Sequence, residues 1–291
     1  MVVKSLVPAI VLAGCGFRVS VTGTSDGSST EDAAVVDADP DAPPDARPID
    51  APPPMLVDRG LVVRYFIDEA ASGQPQTLLV DSAPTPISLP ITYGEAQYVE
   101  TTEGHRGLQW AAVSGDGKIE QALSGKLFTR LTNSLDITIE VVVQITASGS
   151  SGSESQITGL RGSNPDFMLT ALNTTDLRFF RPFGTEGATW TNANMQQRMV
   201  LHLVYDTSLQ NANSRIELFR DGSMLVKTTG SVPMQNTEVN LGSSDALMIG
   251  NRQNQDRSIN GTIFYVAYYD VALTATEIMT NTERLLANDD Q

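Results

Sequence analysis

Two histidines, His105 and His202, and a single cysteine, Cys15, are the scarcest reactive side chains in this sequence. Nucleophilic catalysis needs a nucleophile and a base within hydrogen-bond reach. No phosphate loop or Cys/His zinc pattern is present. His105 follows Glu103-Gly104 and is expected in an exposed turn. His202 lies between Leu201 and Leu203 and reads as a satisfied or surface strand residue rather than a catalytic one. Glycoside hydrolysis needs two carboxyls on one groove, about 5–5.5 Å apart for retention. Acids at alternating strand positions would supply them, yet there is no Glu-x-Asp-x-Glu run. Glu140 stands alone in its strand, Asp136 lies nearer the turn, and Glu217 has no acidic partner at 215 or 219. The expectation is a protein that is not an enzyme.

Binding chemistry is better supplied. Sugar sites combine an aromatic face with a few planar polar groups. Thr189-Trp190-Thr191-Asn192 lies in a Gly- and Asn-rich stretch near Phe183, so Trp190, Phe183 and Asn192 are candidate ligand contacts. Simple loop packing is the alternative for Trp190. Tyr93 and Tyr98 are further aromatic candidates, whereas Trp110 reads as core. Asn251-Arg252-Gln253-Asn254-Gln255 is a second polar loop, in which Asn251, Arg252 and Asn254 could present donors, or which could be a solvated turn. Calcium takes oxygen ligands from Asp, Asn and carbonyls. Asn164, Asp166 and Asp256 are the candidate donors, although Asn and Asp in loops also serve turns and no dedicated calcium-loop spacing occurs.

The elements that position these residues divide the chain into two materials. Lys plus Arg total 19 against 34 Asp plus Glu, a net charge of -15, which argues against nucleic acid as partner. Residues 1–15 carry one charge, Lys4, and a short apolar run. That pattern fits a secretory signal and is too short to span a bilayer. It ends in Leu12-Ala13-Gly14-Cys15, which resembles the lipobox of bacterial lipoproteins. The resemblance implies cleavage before Cys15 and lipid attachment to it, with an unmodified thiol as the alternative. Gly16 lacks the acid associated with inner-membrane retention, which points to an outer-membrane envelope location. Residues 16–55 form an acidic, Pro-rich linker: 7 prolines fall in residues 40–54, and residues 16–57 hold 8 acids and 2 bases. Such a segment cannot bury enough apolar surface to fold and reads as a disordered spacer, or else an acidic interaction tail.

Residues 56–291 read as one all-β domain. Candidate strands are Leu61–Phe66, Leu108–Val113, Ile137–Ile145, Gln156–Leu160, Phe167–Ala171, Leu177–Arg181, Met199–Tyr205, Arg215–Arg220, Ser223–Thr228, Ala246–Ile249 and Thr262–Tyr269. Ile137, Ile139, Val141, Val143 and Ile145 alternate as a half-buried strand requires. Asp221-Gly222 tolerates the positive φ of a two-residue hairpin turn. Many short strands with regular turn signals predict a two-sheet antiparallel jelly-roll sandwich. One short C-terminal helix is predicted, with Thr274 as N-cap, Glu277 completing a capping box, and Ile278, Leu285 and Leu286 on one face.

The order of segments resembles the concanavalin A-like sandwich in its laminin G-like branch. Residues 134–141 (Ser-Leu-Asp-Ile-Thr-Ile-Glu-Val) look like the strand opening the central sheet, and Val204-Tyr205-Asp206 like the end of the next core strand. Leu218-Phe219-Arg220-Asp221-Gly222 resembles the hairpin and Leu247-Met248-Ile249-Gly250-Asn251 the glycine-ended strand. Gly261 to Tyr269, followed by Ala272-Leu273-Thr274 and Glu277-Ile278, resembles the closing strand and helix. There are departures. Val142 stands where a tryptophan is frequent, Arg198 and Val200 where an aromatic and a histidine are common, and Phe264 where an acid is common. The resemblance implies binding of carbohydrate or protein, with some relatives being glycoside hydrolases. The sequence therefore leads to a non-catalytic module for a polysaccharide or glycoconjugate, held at the membrane through Cys15. An adhesion or structural module for an envelope protein is the alternative, and a glycoside hydrolase with a degenerate site is the third reading.

Overall fold

The computed structural model describes residues 55–68, 78–87, 89–92, 96–111, 118–122, 125–149, 154–161, 165–181, 186–228, 238–242, 245–252 and 256–290. Cys15, the linker up to residue 54, Tyr93, Asn164, Phe183 and Asn254 lie outside the described residues.

The described chain is mostly β, built as two antiparallel sheets. In chain order the strands are β1 (Leu61–Phe66), β2 (Leu78–Leu79), β3 (Leu89–Thr92), β4 (Gln97–Glu100), β5 (Arg106–Ala111) and β6 (Lys118–Ala122). A short helix α1 (Lys126–Leu131) follows. Then come β7 (Asp136–Ala147), β8 (Ser155–Arg161), β9 (Pro165–Ala171), β10 (Leu177–Arg181), β11 (Glu186–Trp190) and β12 (Met199–Asp206). The chain closes with β13 (Ile216–Arg220), β14 (Ser223–Met224), β15 (Ala246–Ile249), β16 (Asn260–Tyr269) and the helix α2 (Ala275–Ala287). The first sheet runs β14-β13-β12-β7-β16-β5-β4, with β1 also paired to β16. The second runs β11-β10-β9-β8-β15-β6-β3-β2.

Side-chain alternation explains the layers. Ile137, Ile139, Val141, Val143 and Ile145 of β7 enter the inter-sheet core with Leu201 and Leu203 of β12 and with Phe167, Leu169 and Phe179 of the second sheet. Successive strand residues point to opposite faces, so Glu140 and Val142 face outward from the first sheet. That outer face is apolar as well: Val142, Val200, Val204 and Phe264 form a second cluster with Ile278 and Leu285 of α2. The first sheet is thus covered on both sides, by the second sheet and by α2.

Local signals read in the sequence reappear. Asp221 and Gly222 adopt φ of 49° and 76°, the pair of positive values a type I′ hairpin needs. Thr274 Oγ1 accepts from Glu277 N and the Glu277 carboxylate accepts from Thr274 N, closing the capping box. Leu286 departs from expectation: it is 41% exposed, while Ile278 and Leu285 are buried. It falls on the solvent side of the helix, one position after Leu285.

Candidate functional site

Three polar assemblies stand out among the described residues. The first is sealed under α2. Glu140 of β7 lies directly across from His202 of β12 and Ala267 of β16. Its Oε2 accepts from Asn281 Nδ2 at 2.6 Å and lies 2.7 Å from His202 Nε2. Its Oε1 accepts from Tyr265 Oη at 2.6 Å and Tyr269 Oη at 3.0 Å. Arg64 Nε donates to Tyr265 Oη at 3.1 Å. Burial alone would push the Glu140 carboxyl up; the His202 hydrogen bond and charge, with Tyr265 and Asn281, outweigh it and hold the carboxyl below its usual range. Glu140 and His202 are both 0% exposed, so this pair has no path to a substrate. His202 is therefore neither a surface residue nor fully satisfied: its Nδ1 is buried without a partner. The assembly fastens α2 to the sheet.

The second is a cleft of about 310 Å³ lined by Thr101, Glu103, His105, Gln144, Gln197 and Arg198. His105 is not freely exposed as its turn suggested; its Nδ1 lies 2.8 Å from Oδ1 of buried Asp289. Arg198 Nε donates to the other Asp289 oxygen at 2.8 Å.

The third lies on the outer face of the second sheet. Phe167, Leu169 and Phe179 point into the core, so Met168, Thr170, Arg178 and Phe180 point out. Register aligns Gln156 with Thr170 and Thr170 with Arg178, and Phe180 with Met168. Gln156, Met168, Thr170 and Phe180 line a cavity of about 140 Å³ together with Glu154, Arg161, Arg252 and Arg257. Gln156 is 1% exposed, and neither its Nε2 nor its Oε1 has a hydrogen-bond partner. An unmade hydrogen bond on a buried polar group costs about 1–3 kcal/mol, and here one side chain leaves both amide atoms unmade. Gln156 is held by its backbone instead, donating to Arg257 O at 2.8 Å. Arg178 Nη1 donates to Glu154 and packs over the Phe180 ring at 5.3 Å.

The residues singled out in the sequence separate around this cavity. Arg252 lines it. Asn251 does not offer its side chain to a ligand: it is 0% exposed, and its Oδ1 accepts from Arg252 N at 2.8 Å and Arg257 N at 3.0 Å. It is a positioning residue that holds the main-chain N–H groups of both arginines. Trp190 is not a ligand contact either. It ends β11 opposite Leu177, is 0% exposed and belongs to the inter-sheet core, so it packs as a strand residue rather than in a loop. Tyr98 is likewise core, at 1% exposure, and so is Trp110. Asn192 is exposed with φ 63°, a left-handed turn position. Of the calcium donors, Asn164 lies outside the described residues. Asp166 belongs to strand β9 rather than a loop, and the Asp256 carboxylate is already taken by the Arg252 guanidinium. No group of three or more His, Cys, Asp or Glu that could hold a metal occurs among the described residues.

Gln156, Arg161, Phe180 and Arg257 were missed in the sequence because each sits in or beside a strand, where polar and apolar outward residues look alike. The deciding property, an amide buried without partners, exists only once β8 pairs with β9 and Gln156 N bonds the Arg257 carbonyl.

The laminin G-type family model described as the concanavalin A-like lectin/glucanases superfamily matches residues 94–279. The chain belongs to this superfamily. The match runs from just before β4 into α2, and so includes the cavity. No curated protein sequence matches the chain. Among solved structures, the binding domain of botulinum neurotoxin DC in complex with SialylT is similar with a TM-score of 0.57 at 10% identity. That likeness covers 78% of this chain and 52% of the toxin chain. A Trypanosoma rangeli sialidase in complex with sialic acid aligns with a TM-score of 0.53 at 15% identity, over 80% of this chain and 34% of that one. A botulinum neurotoxin type C structure, described as entering cells through two ganglioside molecules, gives 0.55 at 12% identity. The chain spans about half the length of the toxin fragments and a third of the sialidase, and at these identities the likeness concerns the fold.

Proposed function

We propose that this protein is a non-catalytic glycan-recognition module of a bacterial cell envelope, and that the cavity over β8, β9 and β10 is its binding site. The unpartnered, buried Gln156 amide carries the reading. A fold gains nothing from it, whereas a hydroxyl-rich ligand completes its hydrogen bonds. Phe180 and Met168 offer apolar surface to a sugar ring's C–H face, and Thr170 and the arginines surround it with polar edges. The superfamily is consistent with carbohydrate as partner, and the toxin and sialidase structures bind sialylated ligands.

A binding role rather than hydrolysis is supported by the carboxylates. Glu154 is held by Arg178. Asp256 is held below its usual range by its hydrogen bond to Arg252 against a small burial effect, which is the wrong direction for a general acid. The membrane part of the proposal rests on residues 12–15: Cys15 would carry the lipid, and residues 16–55 would space the domain from the membrane.

A glycan array probed with the full chain tests recognition. The expected outcome is a restricted set of hits, each lost in Gln156→Met with the melting temperature retained or raised. Silence across the array removes the reading, and release of reducing sugar from any hit removes its non-catalytic half. Incorporation of radioactive fatty acid, abolished by Cys15→Ser, tests the anchor.

A further inference from the structure

We infer that the ligand of this cavity is an acidic saccharide, whose carboxylate is taken by Arg252 and Arg257 while Gln156 takes a neighbouring hydroxyl or amide. This rests on the reading of the cavity as a glycan site and deepens it. The chain carries 34 acids against 19 Lys plus Arg. Even so, Arg161, Arg252 and Arg257 line one small cavity, and Arg178 pairs with Glu154, which lines it too. A neutral sugar can be held by amides, hydroxyls and an aromatic face; a cluster of guanidinium groups adds a match to negative charge. Guanidinium forks match a carboxylate in two parallel hydrogen bonds.

The charges facing the cavity are arranged for exchange. Of the described acids there, Glu154 is tied to Arg178. Asp256 pairs with Arg252 four residues away, and its side chain is 48% exposed. Exposed pairs of this kind contribute little to stability. A ligand carboxylate can replace Asp256 on Arg252 at small cost, and Asp256 then returns to water. Asn251 keeps the arginine backbone in place throughout, since both of its acceptor bonds go to main-chain N–H groups rather than side chains. Gln156 N donates to the Arg257 carbonyl at 2.8 Å, and the Gln156 side chain lines the same cavity as Arg252 and Arg257.

Titration calorimetry with the full chain tests this with matched probes: sialyllactose against lactose, and trigalacturonate against its methyl ester. At least one acid should bind about tenfold or more tightly than its neutral counterpart, the scale of one charge-assisted hydrogen bond. That advantage should shrink with added salt and be lost in Arg252→Gln. Asp256→Asn, which removes the internal competitor, should tighten acid binding several-fold, a gain that misfolding cannot produce. Which acid responds separates a sialylated source from a uronate one. Equal binding of acid and neutral partners, abolished by Gln156→Met, overturns the acidic ligand and leaves glycan recognition standing. Acid binding indifferent to Arg252→Gln, or unimproved by Asp256→Asn, overturns the assignment of the carboxylate to Arg252. No binding of any probe overturns the acidic ligand, and the array decides separately whether recognition survives.

Discussion

Two buried polar side chains make opposite predictions. Gln156 satisfies nothing in the fold, so Gln156→Met should raise stability by about 1–3 kcal/mol, since an apolar side chain of similar shape removes an unmade hydrogen bond. Denaturant titration with an unchanged slope would register this as a higher midpoint. Glu140 is the reverse. All four of its contacts direct hydrogen at the carboxylate, from Tyr265, Tyr269, Asn281 and His202. Glu140→Gln sets an amide N–H against at least one of them, and breaking a buried charged pair costs about 3–5 kcal/mol. A midpoint within a few tenths of the parent would contradict the assignment of this cluster as the fastening of α2. Neither residue was legible in full. The oddity of an acid between apolar Ile139 and Val141, and of a histidine between Leu201 and Leu203, was visible in the sequence. What could not be read is that these strands are neighbours, in register, beneath a helix that arrives 141 residues after Glu140 to supply Asn281. Trp190 misled for a related reason: its surroundings look like a loop, and only pairing with β10 turns it inward.

At the scale of elements, periodicity served where apolar residues alternate and failed in short polar strands. Leu61–Phe66, Leu177–Arg181 and Ala246–Ile249 coincide with the sequence-derived limits, and β7 extends only slightly beyond them. β2, β3, β4, β6 and β11 went unseen. Gln-Tyr-Val-Glu is too short to alternate, and Lys-Ile-Glu-Gln-Ala has a helical composition. Pairing with β15 and β3 decides the latter, as tertiary context routinely does for strands. Gly250 shows why a glycine ends β15. Its φ is +77°, and a Cβ there would fall 2.1 Å from Cζ2 of Trp110. Gly250→Ala should cost about 2–4 kcal/mol from backbone strain and overpacking together. It should also weaken ligand binding, because the Asn251 loop begins at the next residue. Thr274→Ala at the α2 cap should lose about 1 kcal/mol, visible as a lower melting temperature.

For the molecule as a whole, acid is the revealing perturbation. Arg59 hydrogen-bonds Glu277 and lowers its carboxyl to about 2, with burial opposing and the Thr274 bonds adding. Glu140 is also held below its usual range. An unfolded glutamate titrates near about 4.3. Both groups therefore contribute stability that is intact above that value and is lost as pH falls through the folded ones. Burial raises Asp136 and Asp290 instead, and acidification relieves them. Because Glu140 is fully buried and the two aspartates are not, the net expectation is a melting temperature that falls steeply below about pH 4. Glu140→Gln should flatten that slope; an unchanged slope would show that the acid sensitivity lies elsewhere.

Leu56 and Val57 rest against the apolar layer outside the first sheet, with Val57 N donating to Asn281 Oδ1. The arginine-lined cavity opens from the far side of the second sheet. Residues 56 and 57 are therefore bound on the face opposite the cavity, so force applied to the chain there would strain the helix seam before it reached β8 and β9.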